Sequence, residues 1–136
     1  MQTFLPYPDI KKSIRCLDWK RLGKQRVEAM QIHNILTGKL ESKAWRNHPA
    51  VLMWINYENA LAVYMNTAIN HWIERGYNNT MKLIEVSDYE LPYWFGNSKF
   101  HNSHKSNLLR KDFSFYSQYN WNINSDLPYF WPKTKK

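Results

Sequence analysis

The run Asp18–Thr37, DWKRLGKQRVEAMQIHNILT, decides how this chain folds. Leu22, Ala29, Ile32 and Leu36 recur along one helical stripe, and Gly38 stands just past the point where the stripe ends. The spacing predicts a first long helix from Asp18 to Thr37. Within it the apolar stripe is broken for about one turn by Arg21, Gly23, Lys24, Gln25, Arg26 and Glu28, and Gly23 gives up about 1 kcal/mol of helix propensity relative to alanine. Something other than packing is expected to place these residues. The plainer reading is that Lys24 and Glu28, one turn apart, pair on a solvated face for a few tenths of a kcal/mol.

Working outward, Met1–Pro8 reads as extended, because Pro6 and Pro8 bias the residues before them away from helix. Asp9 then caps a short helical stretch through Ile14 and Leu17. Residues 39–47 read as a polar connection. Beyond it Asn47 is the expected N-cap of a second helix with Pro49 in its first turn. Its stripe runs through Val51, Ile55, Ala62, Met65, Ile69 and Trp72, and Gly76 is its stop. Leu52, Trp54, Leu61 and Tyr64 widen the apolar face, which makes this helix the central strut. Residues 77–97 hold Pro92 and Gly96 and show no sustained period, so they read as an irregular connection that admits a short helix around 80–86. A third helix is expected from about Ser98 to Asp112 on Leu108 and Leu109, followed by an aromatic tail with a basic end. The expected fold is an all-α single compact domain, residues 1–136, of three main helices with an extended N-terminal segment and an aromatic C-terminal tail.

Nineteen Lys and Arg against 11 Asp and Glu give a net charge of +8 in a chain that is 43% hydrophobic. A packed globule of this sign calls for an anionic partner, nucleic acid before a membrane surface. Cys16 is the single cysteine, so neither an intramolecular disulfide nor a Cys-x-x-Cys zinc site is available, and a reducing cytoplasm fits. No apolar run is long enough to span a bilayer. His101 and His104, at i and i+3, would need a third ligand such as His48 or His71 to share a metal, and no matching carboxylate cluster accompanies them. Phosphate contact by the two histidines with Lys105 and Lys111 is weighed against capping or surface roles. Arg46 and His48 flank the start of the second helix, where exposed amides suit a phosphate or a simple cap. The tail aromatics Trp121, Tyr129 and Trp131 either pin the tail to the helices or stack on exposed bases.

Three segments carry a resemblance: Asp18–Ile32, the His48-Pro49 helix that ends in Arg75-Gly76-Tyr77, and the His101–Lys111 helix. In this order they resemble the phage endonuclease V family of pyrimidine-dimer DNA glycosylases over most of the chain. The chain is most similar to a bacterial branch whose members begin Met-x-Thr-Phe-Leu-Pro-Tyr and carry Arg-Leu-Gly-Lys-Gln-Arg-Val-Glu, as residues 21–28 do. The resemblance implies base excision from damaged double-stranded DNA with abasic-site lyase activity, by a cytoplasmic (nucleoid-associated, if bacterial) monomer that needs no cofactor and no metal. It implies that a chain-terminal α-amine attacks C1′ of the damaged nucleotide and that Glu28 is the assisting glutamate. The chemistry is sound, because an α-amine of pKa about 7.7–8.0 is partly unprotonated at neutral pH whereas lysine, near 10.4, is not. A carboxylate beside it accepts the proton and stabilises positive charge developing on the sugar.

Two departures stand out. Gln2 is too bulky for ordinary removal of the initiator methionine, so the nucleophile is the amine of Met1, or of Gln2 after processing, with Lys24 as the fallback. Val27 stands where the phage enzyme has the arginine before its glutamate, which leaves Arg26 or Lys24 to supply that phosphate contact. The expected DNA-binding set is Arg21, Lys24, Arg26, Arg46, His48, His101, His104 and Lys111. Two rivals remain at this stage: a glycosylase for another modified base, and a non-enzymatic basic DNA-binding protein, which leaves the broken stripe unexplained.

Overall fold

The computed structural model describes residues 1–39 and 45–133. Its helices are α1 (Ile10–Arg15), α2 (Trp19–Leu36), α3 (Pro49–Leu52), α4 (Glu58–Glu74), α5 (Ser98–Lys111) and α6 (Phe113–Tyr116), with a 3₁₀ turn at Ser117–Tyr119. Strands are absent among the described residues, so the fold is all-α, with the N-terminal segment threaded among the helices and an aromatic tail wrapped over them. The part of the connection at 40–44 and the last basic residues lie outside the described residues.

Local chemistry accounts for most helix ends. Asp9 caps α1 by accepting from Lys12 N–H at 2.8 Å, and Asn97 caps α5 by accepting from Lys99 N–H at 3.0 Å. Gly38 follows α2 with φ +80, the left-handed backbone that glycine adopts without a Cβ clash. Asp18, at the N-cap of α2, is put to different use. Its buried carboxylate accepts from the Tyr116 hydroxyl and from Arg21 Nη1 at 3.3 Å, which ties the start of α2 to α6.

The core forms where α2 packs on α4, with Leu22, Ala29 and Ile32 facing Leu61, Tyr64, Met65, Ala68 and Ile69 in one buried cluster. Gly23 belongs to this packing, contrary to the expectation that packing did not place it. A Cβ there would lie 3.0 Å from Trp72 Cζ3. Alanine would gain about 1 kcal/mol of propensity but press on the ring, which would have to give by a few tenths of an ångström.

The structure refines the reading at four further places. The second helix is not continuous: it breaks after Leu52, and Asn56 adopts φ 71 before α4 begins at Glu58, whose carboxylate accepts from Asn56 N–H at 2.7 Å. Asparagine tolerates this left-handed turn, and Glu58 rewards it. The N-cap of α3 is His48 rather than Asn47, its Nδ1 accepting from Ala50 N–H at 3.0 Å. Residues 80–86 form no helix; they run extended along α4, where Asn66 grips the backbone of Ile84 through both amide ends at 2.7 and 2.9 Å. The third long helix ends as expected, but α6 follows it at once, started by Asp112 accepting from Phe115 N–H at 3.2 Å.

Candidate active site

The N-terminal segment has no secondary structure, yet Gln2, Thr3, Phe4 and Leu5 are buried. Buried amides and carbonyls need partners, and side chains from the surrounding helices provide them. Phe4 N–H donates to Gln25 Oε1 of α2 at 2.8 Å, and the Tyr64 hydroxyl of α4 lies 2.9 Å from the Phe4 carbonyl. Leu5 is held at both ends by α5. Its N–H donates to His104 Nδ1 at 2.8 Å, and His101 Nδ1 donates to its carbonyl at 2.7 Å. The bonds fix the tautomers. Gly96 N–H donates to His101 Nε2 at 2.9 Å, which leaves the proton on Nδ1, whereas His104 accepts at Nδ1 and carries its proton on Nε2. Thr3 Oγ1 accepts from the Trp54 indole at 3.0 Å.

This clasp delivers Met1 to Glu28. Both residues line a cleft of about 640 Å³, within the range of small-ligand sites, and both also line a second opening on the side of Gln31, Ile35 and Trp45, so they sit between the two. Glu28 is half-buried, and desolvation pushes its carboxyl above the usual range. The positive charge of the Met1 amine, Lys24, the Gln2 N–H and the Gln25 amide, which donates to Oε2 at 3.0 Å, all oppose that rise. The same amine charge, after burial, helps to lower the pKa of His48 on the other side. A desolvated carboxylate beside an amine is suited to taking up and returning a proton.

Around the large cleft stand the cations Lys20, Arg21, Lys24 and Lys111, with Phe4 and Tyr129 as apolar wall and Trp19, 56% exposed, at its edge. Helical geometry explains the grouping, since positions 21, 24, 25 and 28 share one face of α2. Arg26 does not join them. It points to the opposite side, its guanidinium 4.3 Å from the Trp72 ring centroid and Nη1 donating to Asn79 Oδ1 at 2.7 Å. Burial lowers its pKa. Arg46 is exposed in the turn before α3, away from the cleft lining, and His48 caps α3 with its ring against Trp45 and Trp131. His101 and His104 lie inside, 4% and 0% exposed, because the clasp on Leu5 consumes their Nδ1 atoms; the expected phosphate-facing position is corrected. Burial holds His104 at a pKa of about 3, hence neutral.

Trp19, Lys20, Gln25 and Tyr64 went unnoticed in the sequence as site residues, whereas Tyr129, weighed there as base-stacking or tail-pinning, lines the cleft. Lys20 had a signal, one turn before Lys24, as did Gln25, one turn before Glu28 on the face of Arg21; Tyr64 had none, since only the tertiary fold brings it in. The tail aromatics are pinned: Trp121 Nε1 donates to the Tyr7 hydroxyl at 2.8 Å, and Tyr129 packs on Phe4 and His104.

An all-α protein with a terminal amine, a desolvated carboxylate and a ring of cations at one cleft has the makings of an enzyme that acts on a polyanion. The family follows from comparison. A family model described as pyrimidine dimer DNA glycosylase matches residues 1–85, the stretch that supplies the N-terminal segment, Glu28, Gln25 and Tyr64, and the chain belongs to that family. It is a DNA-repair glycosylase that takes DNA as its substrate. Comparison with curated proteins and with solved structures finds no match. Among the described residues, no helix is long and apolar enough to cross a membrane, and no three His, Cys, Asp or Glu side chains group as a metal site.

Proposed function

We propose that the protein excises pyrimidine-dimer-like bases from duplex DNA through its own N-terminal amine and then cleaves the abasic strand. The observation that carries this reading is the meeting of Met1 and Glu28 in a cleft edged by Lys20, Arg21, Lys24 and Lys111. The neutral amine attacks C1′, the glycosidic C1′–N bond breaks, and the base leaves with the bonding pair. Glu28 takes a proton from the new C1′–N⁺ centre and returns it to O4′ as the sugar ring opens, which leaves an imine. Loss of a C2′ proton then expels the 3′ phosphate by elimination, so that lyase action follows without any further reagent. The cations neutralise phosphates around the lesion and hold the strand in register. Damage weakens pairing and stacking, so eversion of a nucleotide into the cleft costs least at the lesion. One copy of the chain supplies both amine and carboxylate, so the reading requires only a monomer.

Replacing Glu28 by glutamine tests this directly, since it keeps size and hydrogen bonding but removes the base. On a duplex carrying one cyclobutane pyrimidine dimer, Glu28→Gln is expected to lose excision by about 10²–10⁴-fold while still binding the damaged duplex. Excision at the wild-type rate would contradict the proposal.

A further inference from the structure

Gln25 occupies a position that the reaction scheme leaves unused. It is 1% exposed, so water cannot replace its partners. Its Oε1 accepts from Phe4 N–H at 2.8 Å and lies 2.6 Å from the Tyr64 hydroxyl, and its Nε2 donates to Glu28 Oε2 at 3.0 Å. One amide therefore touches both the N-terminal segment and the carboxylate.

The two ends of an amide are not equivalent: the oxygen only accepts and the nitrogen only donates. Phe4 N–H is a donor without alternative, so wherever it is docked the oxygen must face it. The nitrogen is then forced toward Glu28. Turning the amide over would set nitrogen against the Phe4 N–H and oxygen against the carboxylate, two repulsive contacts in a buried place. We propose that Gln25 is a positioning residue that couples docking of the N-terminal segment to hydrogen bonding of Glu28, so that the carboxylate is prepared only when the amine is in place. The inference rests on the proposed roles of Met1 and Glu28, but its first readout does not.

The groups facing Glu28 are the Met1 amine, Lys24 on α2, Tyr64 on α4 and Tyr129 on the tail, with Lys20, Arg21 and Lys111 farther out around the same cleft. Hydrogen bonds to a charged acceptor are the stronger kind, and removal of the Gln25 donor acts with the desolvation that already raises the Glu28 pKa. Undocking removes the amine's charge from Glu28 and frees the amide at the same time, so the two groups that hold the carboxylate charged leave together.

Gln25→Met keeps length and apolar volume but removes both polar ends; Tyr64→Phe removes only the hydroxyl that helps to orient the amide. Carbon-detected NMR titration of the Glu28 side chain in free, full-length protein is the first readout. The expected midpoint rises by about one pH unit in Gln25→Met and by less, in the same direction, in Tyr64→Phe. Single-turnover excision of a dimer-containing duplex is the second: its acid limb should shift by the same amount, with about a tenfold slower rate on the acid side. An unchanged Glu28 midpoint in either folded variant overturns the coupling, as does a rate that falls equally at every pH. A shifted Glu28 midpoint in a protein that excises nothing supports the coupling and defeats the proposed reaction instead.

Discussion

Residues 2–5 and residues 77–97 are two of the stretches that lack regular secondary structure, and both take backbone partners from side chains. The first draws them from Gln25, Tyr64, His101 and His104 on three different helices, all buried. The second draws on Asn66, Asn59 and Trp72 of α4 and, at its far end, on His101 through Gly96 N–H, and most of its residues are exposed. Water substitutes for a lost Asn59 or Asn66 partner in the second stretch and for none in the first. A four-residue segment is thereby fixed against α2, α4 and α5 together, while a longer connection is only moored. The difference is one of purpose: the short segment carries the amine to Glu28, and the long one closes the path from α4 to α5.

The contrast is broken most severely by removal of the buried acceptor. His104→Ala strands the Leu5 N–H and leaves a cavity, for an expected loss of about 3 kcal/mol or more. Asn66→Ala removes two bonds to Ile84 at a partly solvated place, for about 1 kcal/mol. Urea denaturation of both variants measures the difference, and equal losses would dissolve the comparison.

Acid offers a milder way to separate the two stretches. His104, His101 and His33 all have folded pKa values below the ordinary 6.5, each with burial as the leading cause. Between pH 6.5 and the lowered values, down to about 3 for His104, the unfolded chain binds protons that the folded chain refuses, so stability falls as pH falls. The slope is up to about 1.4 kcal/mol per pH unit for each excluded proton. Glu28 acts with the opposite sign. Its raised pKa makes the folded chain bind a proton first, so stability recovers slightly as pH falls toward its ordinary value. The histidines outnumber it, and the net expectation is a melting temperature that declines from pH 7 to pH 5. Since residues 77–97 contain no histidine, hydrogen exchange, corrected for intrinsic rates, should show Phe4 and Leu5 amides losing protection before Ile84.

What could be read in advance follows the range of the interactions. Asp9, Gly38 and Pro49 act within a few residues of themselves, and the helix ends they mark were legible. Asn56 was not, because its left-handed turn depends on Glu58 and hides in a stripe that otherwise continues. Gly23 looked like a gap left for chemistry until Trp72 came across from α4 to fill it. That Arg26 stands apart from the cleft cations follows from the sequence, since it lies about 200° around α2 from Lys24. The two histidines at i and i+3 signalled a shared target correctly in spacing alone; that the target is the backbone of Leu5, and not a phosphate, is a long-range fact. Glu28 stood out because resemblance and the broken stripe pointed to the same helix. The residues that support it, Gln25 and Tyr64, acquire their role only once the N-terminal segment lies between them.

If the clasp brings a terminal amine to Glu28 for attack on the sugar, the attacking nitrogen is that of the chain terminus, and it can be identified. Incubation of the untagged protein with a duplex containing a dimer or an abasic site, in the presence of borohydride, reduces the imine to a stable amine link that peptide mass spectrometry can locate. The crosslink is expected on the α-amine of Met1, or of Gln2 if the first residue has been removed, and is expected to disappear when that amine is acetylated. A crosslink on Lys24 or on any other lysine side chain would contradict a terminal nucleophile.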